Sequence, residues 1–177
     1  MNCPGGPVVV RRKPGSSRVP QSTSVIGLIS DTHGLLRPSV HEALKGVELI
    51  LHAGDVGGDE ILDELALIAP VHAVYGNTDD PGNPRLRGEI EMQFGGLRVH
   101  VSHGHELGVP RPEKLLARYA ADVIVYGHTH KQLITRADGR LVVNPGAAGP
   151  ARFDLKPSVA ILEVRDGTGN VRIVDLA

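Results

Sequence analysis

The residues that could do chemistry in this chain come in short polar bursts. "DTHG" supplies Asp31 and His33, "GD" supplies Asp55, and "GNTD" supplies Asn77 and Asp79. "HGH" supplies His103 and His105, and "GHTH" supplies His128 and His130. Carboxylates, imidazoles and a neutral amide oxygen, with no thiolate among them, suit borderline or hard divalent cations such as Mn, Fe, Zn or Co. Seven side chains (Asp31, His33, Asp55, Asn77, His103, His128 and His130) are too many for one tetrahedral zinc. They suit two ions that share a carboxylate. Asp31-x-His33 comes from one loop and can clamp a single ion, whereas His128 and His130 can reach different ions.

Such bursts need elements to hold them together. From Val25 onward, short apolar runs rich in β-branched residues end in Gly, Asp or Asn: "VIGLIS", "ELILHA", "VHAVY", "LRVHVS", "DVIVY" and "LVV". These read as buried strands. Helical faces lie between some of them, with Ile61, Leu62, Leu65 and Ile68 on one and Leu115, Leu116 and Tyr119 on another. The second half turns to hairpins, one around Asp138-Gly139 and one around Asp166 to Gly169. The expected class is α/β with an antiparallel portion, two packed sheets with helices outside. Each polar burst follows the carboxyl end of a strand, the edge where open α/β sheets bind ligands. A "GD" or "GN" alone is an ordinary turn; their recurrence at successive strand ends is the signal. His41 is expected on a solvated helix face, and His52, His72 and His100 as satisfied core or surface histidines.

Composition narrows the function classes. The chain has 177 residues, enough for one domain with a sizeable core. It carries 19 basic and 20 acidic residues, so it offers no electrostatic footprint for long nucleic acid. Two Phe, three Tyr and no Trp leave little for a base-stacking platform. The single Cys3 excludes an internal disulfide framework and fits a reducing compartment. No apolar run approaches membrane-spanning length. A cytoplasmic protein with no membrane partner is the expectation, and a homo-oligomer is left open. Residues 1–24, rich in Pro, Gly, Ser and Arg, read as a disordered leader ahead of a single domain over residues 25–177.

Taken in order, "DTH", "GD", "GNTD", "HGH" and "GHTH" resemble the calcineurin-like metallophosphoesterase superfamily. The length and the lack of a cap domain resemble its small bacterial and archaeal phosphodiesterase branch (YfcE-like). The resemblance covers about residues 25–164. It implies the four-layer αββα fold of that superfamily, with two mixed sheets flanked by helices. It implies Asp31, His33 and His130 on a first metal, Asn77, His103 and His128 on a second, and Asp55 bridging them. The implied cofactors are two divalent ions, manganese first, with iron, zinc, cobalt or nickel as alternatives. The implied activity is phosphodiester hydrolysis by in-line attack of a metal-bridging hydroxide on a small substrate. Two ions bring about +4, two aspartates −2 and hydroxide −1, which leaves roughly +1 for an anionic phosphate.

One position departs from the pattern. Many relatives place a histidine after Gly-Asn, where this chain has Thr78, and threonine is no general acid at neutral pH. Asp55 and Asn77 are expected to act in catalysis as well as in binding, and His105 is the candidate substitute acid. Asp79 is expected to orient a ligand or cap a turn. Asn144-Pro145-Gly146 is expected to be a structural turn near the site. Arg37, Arg85, Arg87, Arg111 and Arg152 are candidate phosphate contacts among surface charges. The alternatives are a protein-interaction scaffold on the same fold, as in the retromer scaffold subunit, and a nuclease or phosphomonoesterase.

Overall fold

Strand β1 (Ser24–Ile29) is the hinge of the architecture. In the computed structural model, which describes residues 23–177, it pairs in parallel with β2 (Leu49–His52) and antiparallel with β10 (Ser158–Arg165). The expected leader thus lies outside the described residues except for Thr23 and Ser24, and Ser24 already pairs with Val164. Strand β3 (Val71–Val74) extends the parallel run and β4 (Leu86–Arg87) ends it, while β11 (Thr168–Asp175) closes the other edge. The order of this six-stranded sheet is β11-β10-β1-β2-β3-β4.

A five-stranded sheet packs against it, in the order β5-β6-β7-β9-β8. Strands β6 (Leu97–Ser102), β7 (Val123–Val125) and β9 (Arg140–Asn144) are parallel, and β5 (Glu89–Phe94) and β8 (Leu133–Ala137) are antiparallel edges. The hairpins at Asp138-Gly139 and after Arg165 form as their turn residues require. The β5–β6 hairpin was not expected. Its signal is Glu89, Glu91 and Gln93 alternating with Ile90, Met92 and Phe94 ahead of Gly95-Gly96.

Alternation along the strands builds three apolar layers. Ile26 and Leu28 point between the sheets, where Leu51, Val74, Val101, Val125, Val143 and Leu162 meet them. The other face of the first sheet, with Ile29, Ile50 and Ile161, is covered by α1 (Ser39–Ala43) and α2 (Asp59–Ala66) through Val40, Ile61, Leu62 and Leu65. Helix α3 (Pro112–Arg118) covers the second sheet, where Leu115 and Tyr119 pack on Ile124 and Val142. Each such side chain contributes roughly 1.5–3 kcal/mol on burial. The result is the αββα layering. Its parallel strands β1, β2 and β3 on one sheet, and β6, β7 and β9 on the other, all run toward the same rim. Among the described residues, no helix is long and apolar enough to cross a membrane.

Candidate metal centre

The rim loops carry the polar bursts, and their backbones are forced. Asp31, His33, Asp55, His128 and His130 all have positive φ, between 47° and 67°. Non-glycine residues seldom adopt this left-handed region, and such outliers collect at functional sites. The turns it makes possible fold each loop back over its strand end, so that the side chains converge. Asp31 is fully buried, Asp55 and His103 nearly so, and His130 is 8% exposed.

Two clusters result. In the first, His130 Nε2 lies 3.1 Å from Asp31 Oδ1 and 3.3 Å from His33 Nε2, and one donor atom from each of Asp31, His33, Asp55 and His130 falls within 4.8 Å of the others. In the second, the ring nitrogens of His103 (Nε2, 3.1 Å) and His128 (Nδ1, 3.0 Å) converge on Asn77 Oδ1. Asp55 Oδ2 stands between the clusters, 3.8 Å from His33 Nε2 and 3.4 Å from His103 Nε2. Atoms that share an ion at about 2.1 Å sit roughly 3 to 3.5 Å apart, so these spacings suit a common cation. Asp31 Oδ1 is buried yet has no hydrogen-bond partner among the described residues, its contact with His130 being close but misaligned. A buried anionic oxygen of this kind suits a cation as its partner. The donor set therefore suits divalent metal.

The surrounding residues fix each donor. His103 Nδ1 donates to the Ala53 carbonyl at 2.7 Å, which turns Nε2 inward. Asp31 Oδ2 accepts from Ser30 Oγ at 2.6 Å and from the His128 N–H at 3.2 Å. Asp79 accepts from the N–H groups of Val56, Gly57 and Gly76, tying the Asp55 loop to the Asn77 loop. Orienting and turn-capping are thus one role for Asp79. Asn144 donates to the Gly127 carbonyl at 2.8 Å and to Thr129 Oγ1 at 3.0 Å, so Asn144-Pro145-Gly146 is a turn that braces the two-histidine loop. Gly76 cannot be replaced freely, because a Cβ there would collide with Asp55 Oδ1.

Behind this layer lies a relay that sequence reasoning placed only as core. The Gly54 N–H donates to His52 Nδ1 at 3.2 Å, so Nε2–H donates to Thr32 Oγ1 at 2.9 Å, whose hydroxyl donates to the Val56 carbonyl at 2.8 Å. His52 joins the Asp31 and Asp55 loops and is satisfied, as expected. Its only sequence signal is its place three residues before Asp55. His100 differs from expectation: it is buried and stacked on Tyr119 at 3.7 Å, and among the described residues neither ring nitrogen makes a hydrogen bond, Nδ1 standing 3.6 Å from Glu91 Oε1. His72 is exposed, and His41 pairs with Glu64 at 2.9 Å.

The protonation pattern follows from burial and charge. Burial works against the charged form of Asp55, but hydrogen bonds from His103 and the Thr78 N–H outweigh it and hold the carboxyl well below its usual range. His103 is likewise penalised by burial, yet Asp55 and Asp31 raise its pKa. Burial lowers His33, against the pull of Asp55 and Asp31, and it lowers His128 with help from His103. Neutral imidazoles are the form that binds metal. His105 sits beside the second cluster, its ring 5.3 Å from that of His103 and 6.3 Å from that of His128.

The arginines separate. Arg85 pairs with Asp63 at 2.9 Å, and Arg37 donates to the Gly149 carbonyl at 3.2 Å. Arg87 and Arg111 are exposed, on β4 and at the start of α3. Arg152 alone of the five both lines a cleft with His130 and has its charge felt by His33.

Comparison with known proteins identifies the family. Residues 25–167 match the calcineurin-like phosphoesterase superfamily domain. A probable metallophosphoesterase of Methanothermobacter thermautotrophicus is 40% identical over 154 residues, covering 79% of this chain and 86% of the relative. A phosphodiesterase of Methanocaldococcus jannaschii is 31% identical over 139 residues, covering 68% of this chain and 82% of the relative. Among solved structures, vacuolar protein sorting 29 from Cryptosporidium parvum superposes with a TM-score of 0.72 at 25% identity, covering 88% of this chain and 98% of that one. The two packed sheets, the metal-suited rim and these matches together make the chain a member of the calcineurin-like phosphoesterase superfamily.

Proposed function

We propose that the protein is a phosphodiesterase that works with two divalent metal ions, manganese first among them. Asp31, His33 and His130 would hold one ion, Asn77, His103 and His128 the other, and Asp55 would bridge. The observation that carries this reading is the position of Asp55 Oδ2, within 3.8 Å of the first cluster and 3.4 Å of the second. When bound, such an ion pair makes a nucleophile available near neutral pH and neutralises phosphoryl oxygens.

The chain's own part is placement. Asp31 and Asp55 are the only carboxylates among the seven donors, so the centre keeps a net attraction for an anionic diester. Asn77 supplies an oxygen without a charge. His105, on the side of the second cluster, would give a proton to a leaving oxygen there; the Thr78 N–H donates to Asp55 Oδ1 at 3.0 Å. The rim is open, with Asn77 and Thr78 exposed, which suits a small substrate.

The likeness to vacuolar protein sorting 29 leaves a second reading open, a protein-interaction platform on the same fold. One experiment separates them: hydrolysis of bis-p-nitrophenyl phosphate by metal-stripped protein after adding back Mn, Ni, Co, Zn or Mg singly. Metal-dependent turnover that disappears in His128→Ala supports the phosphodiesterase. Metal binding without turnover of any phosphate ester supports the platform.

A further inference from the structure

The loop between β9 and β10 lies beside the first cluster, where Arg152 and His130 line the same cleft. Its base is fastened to the metal-facing loop, since the N–H groups of Ala148 and Gly149 donate to the carbonyls of Ser30 and Asp31 at 2.9 and 3.2 Å. A turn then forms, closed by the Leu155 N–H on the Arg152 carbonyl at 3.1 Å. Arg152, His130 and Lys156 line one small cleft. Lys156 is committed to Asp175 at 3.7 Å, whereas Arg152 has no carboxylate or carbonyl partner among the described residues and stands exposed beside the centre.

Phe153 is the next residue in this turn. It is 98% exposed, and its φ is 54°. A bulky aromatic residue in the left-handed region is an outlier, and among the described residues neither burial nor a packing partner offsets it. Only two phenylalanines exist in the chain, and the other, Phe94, packs against the core. An unsheltered ring next to an uncommitted guanidinium is a pairing that suits an anionic phosphate attached to a planar group.

We propose that residues 150–155 form a substrate-reading loop, in which Arg152 takes a phosphoryl oxygen and Phe153 stacks on the planar arm of the substrate, so that the preferred diesters carry a nucleoside or other aromatic arm. This rests on the phosphodiesterase reading and deepens it. The placement is consistent with in-line chemistry: Arg152 flanks the cluster of His33 and His130, and His105 flanks that of His103 and His128. The retained arm lies at one end of the centre and the leaving group at the other.

Two measurements test the loop. The first is the ratio of kcat/KM for p-nitrophenyl thymidine-5′-phosphate to that for p-nitrophenyl methyl phosphate, two diesters with the same leaving group. Phe153→Ala lowers this ratio about five- to tenfold, the low end of what one stacked base contributes. Leu67→Ala, an exposed apolar control on the far end of α2, keeps it. The second is calorimetric binding of thymidine 5′-monophosphate and of methyl phosphate to the metal-loaded protein. Arg152→Ala weakens both about tenfold, and Phe153→Ala weakens the nucleotide selectively. Equal effects of Phe153→Ala on both members of each pair, or none, overturn the loop assignment while leaving the phosphodiesterase standing. A wild-type protein that hydrolyses neither diester defeats the phosphodiesterase reading; the nucleotide binding then still decides the loop, and its absence overturns it.

Discussion

Four aspartates share almost one backbone conformation and have opposite fates. Asp31, Asp55, Asp138 and Asp166 have φ between 51° and 54°. Asp138 and Asp166 sit in exposed hairpin turns ahead of glycines, where the short polar side chain tolerates the left-handed region and nothing else depends on it. Asp31 and Asp55 are buried at strand ends, and each places its oxygens among imidazoles. The backbone requirement is the same in both regions. Burial and convergence of neighbouring loops are what turn a turn residue into a ligand.

The largest expected effect lies at the bridge. Asp55→Ala should remove one of the two clusters' shared oxygens and lower metal-dependent kcat/KM about a thousandfold or more, the scale of roughly 4 kcal/mol of lost transition-state stabilisation. Asp166→Ala, the same change at a matched φ, should leave it within a factor of two. Retained activity in the Asp55 variant would break the contrast and the two-metal assignment with it.

Gly76 and Gly139 sharpen the contrast by steric means. A Cβ at Gly76 meets Asp55 Oδ1 and the Asp55 N–H, whereas one at Gly139 meets nothing within 4 Å and suffers only from its φ of 73°. Gly76→Ala should destabilise by about 2–4 kcal/mol and weaken metal binding. Gly139→Ala should stay near ~1–2 kcal/mol, the strain of a side chain in the left-handed region, with metal binding intact. Urea titration and metal calorimetry on the pair would show whether the two differ.

Acid should strike the rim through its buried histidines. His52 is pushed down from 6.5 to about 4, first by burial, so the unfolded chain takes up a proton in this interval and the folded chain does not. Its contribution is complete above pH 6.5 and is lost as pH falls toward 4, about 3 kcal/mol in the metal-free protein. His33 and His128, also lowered by burial, act in the same direction. His103 opposes them: its raised pKa gives stability that is present below 6.5 and lost as pH rises through its folded value. Denaturation midpoints of metal-free protein that stay level from pH 7 to 4.5 would contradict this account. The smallest effect belongs to Asp138→Gly, expected within ~0.5 kcal/mol by thermal melting, because an exposed left-handed turn position accepts glycine.

Much of the site was legible in the sequence because its signals are local. Asp31-x-His33, the His-x-His pair of His128 and His130, and the glycine before Asp55 each combine a polar residue with the end of an apolar run, and both features lie within a few residues. The parallel strands could be read for the same reason. The β5–β6 hairpin escaped because its half-exposed alternation of Glu and Gln with Ile, Met and Phe is weaker than the continuous apolar runs around it. His52 and His100 looked alike as histidines in buried strands, yet one is hydrogen-bonded through both nitrogens and the other, among the described residues, through neither. Which partners a buried ring meets depends on loops from distant parts of the chain.

Strand ends, donor types and turn residues were set by local sequence, since each depends on hydropathy period and backbone preference over a few positions. It took the folded chain to set Asp55 between two clusters, to hold Arg85 on Asp63 while leaving Arg152 without an ion pair among the described residues, and to leave Phe153 exposed. Those outcomes come from packing two sheets so that loops far apart in sequence meet at one rim. Distances across that rim are set by the register of β1, β2 and β3 against β6, β7 and β9, and no local pattern encodes that register.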